Sequence, residues 1–325
     1  MCGIVGAVAE RNVVPILMEG LRRLEYRGYD SAGIAIHGDA GITRVRRVGK
    51  VQELQSALDE SPVEGGTGIS HTRWATHGVP NETNAHPHLS GDEIAIVHNG
   101  IIENHEELRA DLAKKGYAFT SDTDTEVIAH RIHFNLQAAG DFIGAVRMTV
   151  AELEGAYALA VMSTNHPEQL VIARQGAPAV VGIGIGENFV ASDVAALLPV
   201  TRNFMFLDEG DVALVERHQV TIWDERGSVV ERPLRESELD ADAAERGEFR
   251  HYMLKEIYEQ AAAVAQTLDG RIADGRVLDA SFGPLAIDAL DRTRGVHIVA
   301  CGTSYHAGLV ARYWIENLCR LPCTV

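Results

Sequence analysis

The chain has 325 residues, 46% of them hydrophobic, enough to bury one large core and part of a second. Its 29 basic and 46 acidic residues give a formal charge of -17, which argues against broad electrostatic attachment to nucleic acid or an anionic membrane; any anionic substrate must be captured locally. Four cysteines, Cys2, Cys301, Cys319 and Cys323, are too few and too clustered for a disulfide framework, and no apolar run reaches transmembrane length, so a soluble cytoplasmic protein with reduced thiols is expected.

The first element, Gly3-Ile4-Val5-Gly6-Ala7-Val8, reads as a short buried strand, and Cys2 precedes it. Removal of the initiator Met would leave Cys2 as the new terminus, with nucleophile and base on one residue: a thiol of pKa about 8.5 and an α-amine of about 7.7–8.0. The plain structural alternative is a small apolar residue opening the strand. No basic region precedes the apolar run and Glu10-Arg11 interrupts it early, so no secretory leader is expected, and since Cys2 follows Met1 directly no propeptide is expected either. Asn12 is placed to cap a helix whose apolar positions Val13, Leu17, Leu21 and Leu24 recur at helical spacing. The turn-rich Tyr26-Arg27-Gly28-Tyr29-Asp30-Ser31-Ala32-Gly33 then leads into a strand at Ile34 to Ile36.

Ile94 to Val97 reads as a buried strand, Ile101-Ile102 as its continuation after a turn, and Glu106 to Lys115 as a helix closed by Gly116. Val127 to Leu136 is a helix introduced by the capping-box pattern Thr123-Asp124-Thr125-Glu126. Short strands broken by Gly and Pro fill Leu170 to Val230, with Gly182 to Gly186 read as strand and turn. Together these imply strands layered with helices, mostly antiparallel, in a domain over 1–235. An acidic stretch poor in large apolar groups marks a linker over 236–250. A second, α/β domain over 251–325 opens with the helix His251 to Leu268 and a strand at Val296 to Ala300, and a second strand starts at Cys323-Thr324-Val325; a single βα unit lacking the rest of its sheet is expected to be incomplete.

Several segments concentrate chemistry. His71-Thr72-Arg73-Trp74-Ala75-Thr76-His77-Gly78 packs a guanidinium, an indole, hydroxyls and two imidazoles into eight positions, and the Arg73 fork suits a carboxylate. Asn99-Gly100 is either a type I′ hairpin turn or a pair of oxyanion donors, and the two readings are compatible. Asp124 either serves the cap or binds an ammonium group. Six histidines lie between His71 and His105, but their spacings match no standard metal pattern, so neither a metal nor a cofactor is expected. Cys301-Gly302-Thr303-Ser304, a strand end leading into a helix, offers backbone N–H groups and hydroxyls to a phosphate, or simply a helix cap.

In their order along the chain, Cys2, the segment Arg27 to Gly33, His71 to Gly78, Asn84 to Pro87, His98-Asn99-Gly100 and Asp122 to Glu126 closely resemble the N-terminal glutaminase of class II glutamine amidotransferases. The stretches His251-Tyr252-Met253, Lys255 to Gln260 and Cys301 to Tyr305 resemble the members of that family with a sugar isomerase (SIS) second domain. The resemblance implies an α+β fold, four αββα layers of the N-terminal nucleophile (Ntn) hydrolase class, followed by an incomplete α/β isomerase domain. It implies Cys2 as nucleophile and Asn99 with the Gly100 N–H as oxyanion hole. Arg73 would hold the α-carboxylate of glutamine and Asp124 its α-amine, with Thr76 and His77 in the same pocket. Trp74 would gate ammonia, Arg27, Gly28 and Tyr29 would support the site, and Thr303 and Ser304 would bind a sugar phosphate. The implied partners are glutamine, fructose 6-phosphate in the complete enzyme, and a second copy in a homodimer. Since complete members carry two isomerase domains, this chain alone is expected to hydrolyse glutamine without aminating the sugar. Two alternatives stand beside this: a glutaminase serving another acceptor, and a non-catalytic glutamine-binding remnant.

Overall fold

The computed structural model describes residues 2–237, 249–268, 271–273, 276–277, 290 and 292–325. Most of the linker expected over 236–250 lies outside them. The chain divides into two units, Met1–Gly247 and Glu248–Val325.

The first unit opens with β1 (Gly3–Val8), α1 (Val14–Leu24), β2 (Ser31–Gly38), β3 (Gly41–Val48), α2 (Val51–Glu60) and β4 (Thr67–Arg73). It continues through β5 (His88–Ser90), β6 (Ile94–Ile102), α3 (His105–Lys114), α4 (Asp124–Ala139) and α5 (Phe142–Val150). The strands β7 (Gly155–Ser163), β8 (His166–Gln175), β9 (Val180–Ile183), β10 (Asn188–Ala191) and β11 (Asn203–Phe206) follow. It closes with β12 (Val212–Glu216), β13 (Val220–Trp223), β14 (Val229–Val230) and β15 (Leu234–Glu236). One sheet has the order β15-β11-β9-β10-β1-β4-β2-β3, the other β14-β13-β12-β8-β7-β6-β5. The ladders within both are antiparallel.

Alternation along the strands explains the layering, because successive side chains point to opposite faces. Val5 and Ala7 of β1 join a core with Leu17, Leu21 and Leu24 of α1 and Leu54 of α2, whereas Ile4 and Val8 turn the other way, against the second sheet. In β6, Ala95 and Val97 face that inter-sheet core, and Ile94 and Ile96 face a third core with Ile128 and Ile132 of α4 and Phe142 of α5. Three apolar cores separate four layers, helix, sheet, sheet, helix, and central strands such as β1 are buried on both faces. A strand hidden on both sides reads as a continuous apolar run rather than an alternating one.

Three local expectations change. Asn99-Gly100 is no turn: β6 runs unbroken through it, pairing Asn99 with Ala158 and Gly100 with Tyr157 of β7. Gly100 takes φ +130°, and a Cβ there would lie 1.9 Å from the Ala156 carbonyl oxygen, so close strand approach rather than chain reversal calls for glycine. The capping box is half formed: Thr123 Oγ1 accepts from the Glu126 N–H, but the Glu126 carboxylate takes the N–H and hydroxyl groups of Thr120 and Ser121 instead of reaching back to Thr123. Asn12 acts one residue outside the cap, its Oδ1 accepting from the Val14 N–H.

In the second unit, the helix Tyr252–Leu268 forms as expected. The strand Val296–His297 pairs in parallel with Cys323–Thr324, where the second strand is expected, across the helix Gly302–Trp314. Thr303 and Ser304 lie inside that helix's first turn, and Cys301, not either hydroxyl, occupies the capping position.

Candidate active site

At one end of the inter-sheet core the inward rows turn from apolar to polar. Along β4 the row is Ile69, His71, Arg73; along β6 it is Ala95, Val97, Asn99; and Cys2 continues the alternation that puts Ile4 in that core. Cys2, Arg73, Trp74, Thr76, His77, Gly100 and Asp124 line one small cavity there. Residues spread over more than 120 positions of sequence thus meet at the edge of a rigid sandwich.

The loop after β4 holds the thiol. The Trp74 N–H donates to Cys2 Sγ at 3.2 Å, and Sγ lies 3.6 Å from the Trp74 carbonyl oxygen. Burial raises the Cys2 thiol pKa, more than the Trp74 N–H and the Arg73 charge lower it. Trp74 as a whole is 54% exposed. The Cys2 carbonyl accepts from Asn99 Nδ2 at 3.3 Å and from Arg27 Nη1 at 3.4 Å.

Arg73 is buried. Its Nη2 donates to the carbonyls of His77 and Gly78, while Nη1 makes no hydrogen bond and has Asp30 at 3.7 Å. Asp124, the first residue of α4, accepts the Ile102 N–H at 2.9 Å and has His98 Nδ1 at 3.8 Å and His77 Nδ1 at 4.0 Å. The cavity is therefore lined by a guanidinium, a buried carboxylate and a thiol. An α-amino acid offers the opposite charges to the first two.

Residues absent from the sequence-based site complete the support. Asp30 Oδ2 accepts the Ala75 N–H at 2.5 Å, tying the loop to β2. Asp193 receives Arg27 Nη2 at 2.5 Å and the Tyr26 hydroxyl at 2.7 Å; it lies some 166 residues from Arg27, with no local signal of that pairing. Buried imidazoles back the cavity: His71 stacks on His86 at 4.2 Å, His86 meets His88 at 5.0 Å, and His98 Nδ1 lies 3.0 Å from Thr125 Oγ1. Desolvation lowers all four, His71 to about 3, so they are neutral near pH 7. Among the described residues no cluster of metal-ligating side chains occurs.

An assigned residue of the first unit lies outside the cavity. Tyr29 donates to Glu25 and accepts the Val51 N–H at 2.9 Å, joining the turn after α1 to α2 outside the cavity. Thr303 and Ser304 belong to the second unit and are exposed. Gly28 takes φ +74°, and a Cβ there would lie 3.0 Å from the Trp74 ring.

Residues 71–199 match the family described as glutamine amidotransferase domain. The whole chain is 59% identical to the glutamine–fructose-6-phosphate aminotransferase (isomerizing) of Shewanella oneidensis, over 100% of this chain and 53% of that protein. The chain thus spans about half the length of the curated relatives it matches. Among solved structures, glutamine phosphoribosylpyrophosphate amidotransferase from B. subtilis superposes with a TM-score of 0.60 at 24% identity, covering 70% of this chain and 50% of that one. A structure described as the allosteric regulatory enzyme of purine biosynthesis gives 0.60 at 25% identity, covering 69% and 49%.

Proposed function

We propose that this chain, which carries a class II glutamine amidotransferase domain of the Ntn-hydrolase fold, hydrolyses glutamine to glutamate and ammonia through a thioester on Cys2. The meeting of Cys2, Arg73 and Asp124 around one cavity carries this reading. Arg73 Nη1 takes the α-carboxylate and Asp124 the α-ammonium, with Thr76 and His77 closing the pocket, so the side-chain amide is delivered to Sγ.

Because burial holds the thiol protonated at neutral pH, a base is required. Once Met1 is removed, the Cys2 α-amine takes the thiol proton. The thiolate adds to the amide carbon, the tetrahedral oxyanion is held by Asn99 Nδ2 and the Gly100 N–H, and the ammonium returns its proton to the departing ammonia. Water then cleaves the thioester to glutamate. A single oxyanion donor is typically worth about 2.7–4 kcal/mol.

Further proposals rest on the relatives' names and on the resemblance. In an enzyme with complete isomerase domains the ammonia goes to fructose 6-phosphate, giving glucosamine 6-phosphate, with Trp74 gating its release and Thr303 and Ser304 meeting the sugar phosphate. The working enzyme is a homodimer in the cytoplasm; Cys2, Cys301, Cys319 and Cys323 are all unpaired, which suits a reducing compartment. Among the described residues no helix is long and apolar enough to cross a membrane.

The test is glutamate release by purified chain whose N-terminal mass shows Met1 removed. Asp124→Asn is expected to raise KM for glutamine about 100-fold, with kcat changed less. Unchanged KM would remove Asp124 from the substrate site, and no turnover by the processed wild type would contradict the glutaminase reading.

A further inference from the structure

We propose that His71 is a positioning residue that decides which end of the Asn99 amide faces the nucleophile, and thereby whether the oxyanion hole exists; the functional part of this rests on the glutaminase reading above. An asparagine side chain has a donor end and an acceptor end of nearly equal shape, and only the donor end stabilises an oxyanion. The Cys2 carbonyl 3.3 Å from Asn99 Nδ2 can only accept, so the NH2 end must face it. Asn99 Oδ1 then faces His71 Nε2 at 2.9 Å, and that nitrogen must carry the proton. A ring protonated on Nδ1 alone would present a bare Nε2, attract the NH2 group and turn the amide oxygen toward the thiol.

The surroundings make His71 suited to this. It is fully buried on β4, and Asn99 is on β6, so the bond crosses from one sheet to the other. Its ring is held by the stack on His86, whose carbonyl would lie 2.1 Å from a Cβ at Gly33, the residue paired with His71 across β2 and β4. Its Nδ1 makes no hydrogen bond, and the His98 backbone carbonyl also acts on the ring as an acceptor, so the Asn99 contact is what assigns the proton to Nε2. The groups facing the ring are His86, Asn99, His98 and Arg73.

Two readouts test this on the full, Met1-processed chain. By 15N NMR at neutral pH, His71 is expected to be neutral with the proton on Nε2; a proton on Nδ1 overturns the proposal whether or not the chain turns over glutamine. In kinetics, His71→Leu is expected to lower kcat about 100-fold, the scale of a lost oxyanion donor, with KM for glutamine within about threefold. His71→Gln, whose amide nitrogen reaches the position of imidazole Nε2 and donates, is expected to recover to within about tenfold of wild type. In an Asn99→Ala background, His71→Leu should cost no more than about threefold further, because the group it positions is gone. Equal losses in both backgrounds, or His71→Gln no better than His71→Leu, would overturn it. An inactive wild type would instead count against the glutaminase reading, leaving the NMR result to decide the tautomer.

Discussion

Cys2 owes its placement to backbone rather than to a side-chain partner: the Trp74 N–H and carbonyl bracket its sulfur, and the Trp74 ring lies over Gly28. Gly28→Ala would both crowd that ring and demand a positive φ from a residue with a Cβ. It is expected to destabilise the unit by about 1 kcal/mol and to lower kcat about tenfold, by displacing the loop that holds the thiol; steady-state glutamate release and thermal melting would check both. Unchanged turnover would mean that the Trp74 loop is not what seats Cys2. At this scale the sequence was legible where residue type carries chemistry. The charges of Arg73 and Asp124 and the place of Cys2 beside Met1 made them candidates, and the family resemblance gave them their proposed roles. Asp193 was not a candidate, because its partner Arg27 is far away in sequence and the contact exists only once β10 lies beside β1. Tyr29 fell within a site-like segment yet serves packing, since its hydroxyl is committed to Glu25 and Val51.

α4 shows how an element can carry a site. Thr123 Oγ1 caps it through the Glu126 N–H and lies 3.0 Å from His88 Nε2, while the next residue, Asp124, faces the cavity. Thr123→Ala is expected to cost about 1–2 kcal/mol of stability, the usual range for a lost N-cap, and to raise KM for glutamine several-fold as the first turn loosens around Asp124. Urea unfolding and initial rates would measure the two effects, and a stability loss without any KM change would separate cap from site. The cap was legible because its pattern is local. The strand through Asn99-Gly100 was not: the same dipeptide that favours a tight hairpin also fits a strand where a neighbouring backbone comes too close for a Cβ, and only the pairing with β7 distinguishes the two.

Across the whole first unit, the four layers follow from alternation, yet the order of strands in each sheet depends on pairings between distant segments, such as β1 with β10, which no local pattern encodes. Burying His71, His86 and His88 in neutral form has a consequence for the entire fold. Each has a folded pKa below the unfolded value of about 6.5, so below that pH the unfolded chain binds protons that the folded chain excludes. Stability is therefore expected to fall as pH drops from about 6.5, by about 1.4 kcal/mol per unit for each such histidine, continuing for His71 toward its folded value of about 3. Urea midpoints at pH 7.5 and 5.0 would read this, and equal midpoints would show that these imidazoles are not buried neutral. The central claim is that the end of the sandwich forms a thioester on Cys2. Its most direct test is rapid acid quench of Met1-processed chain during glutamine turnover, followed by peptide mass spectrometry. A glutamyl adduct on the Cys2 peptide, absent in Cys2→Ala along with turnover, is the result the account requires; turnover that persists in Cys2→Ala would contradict it.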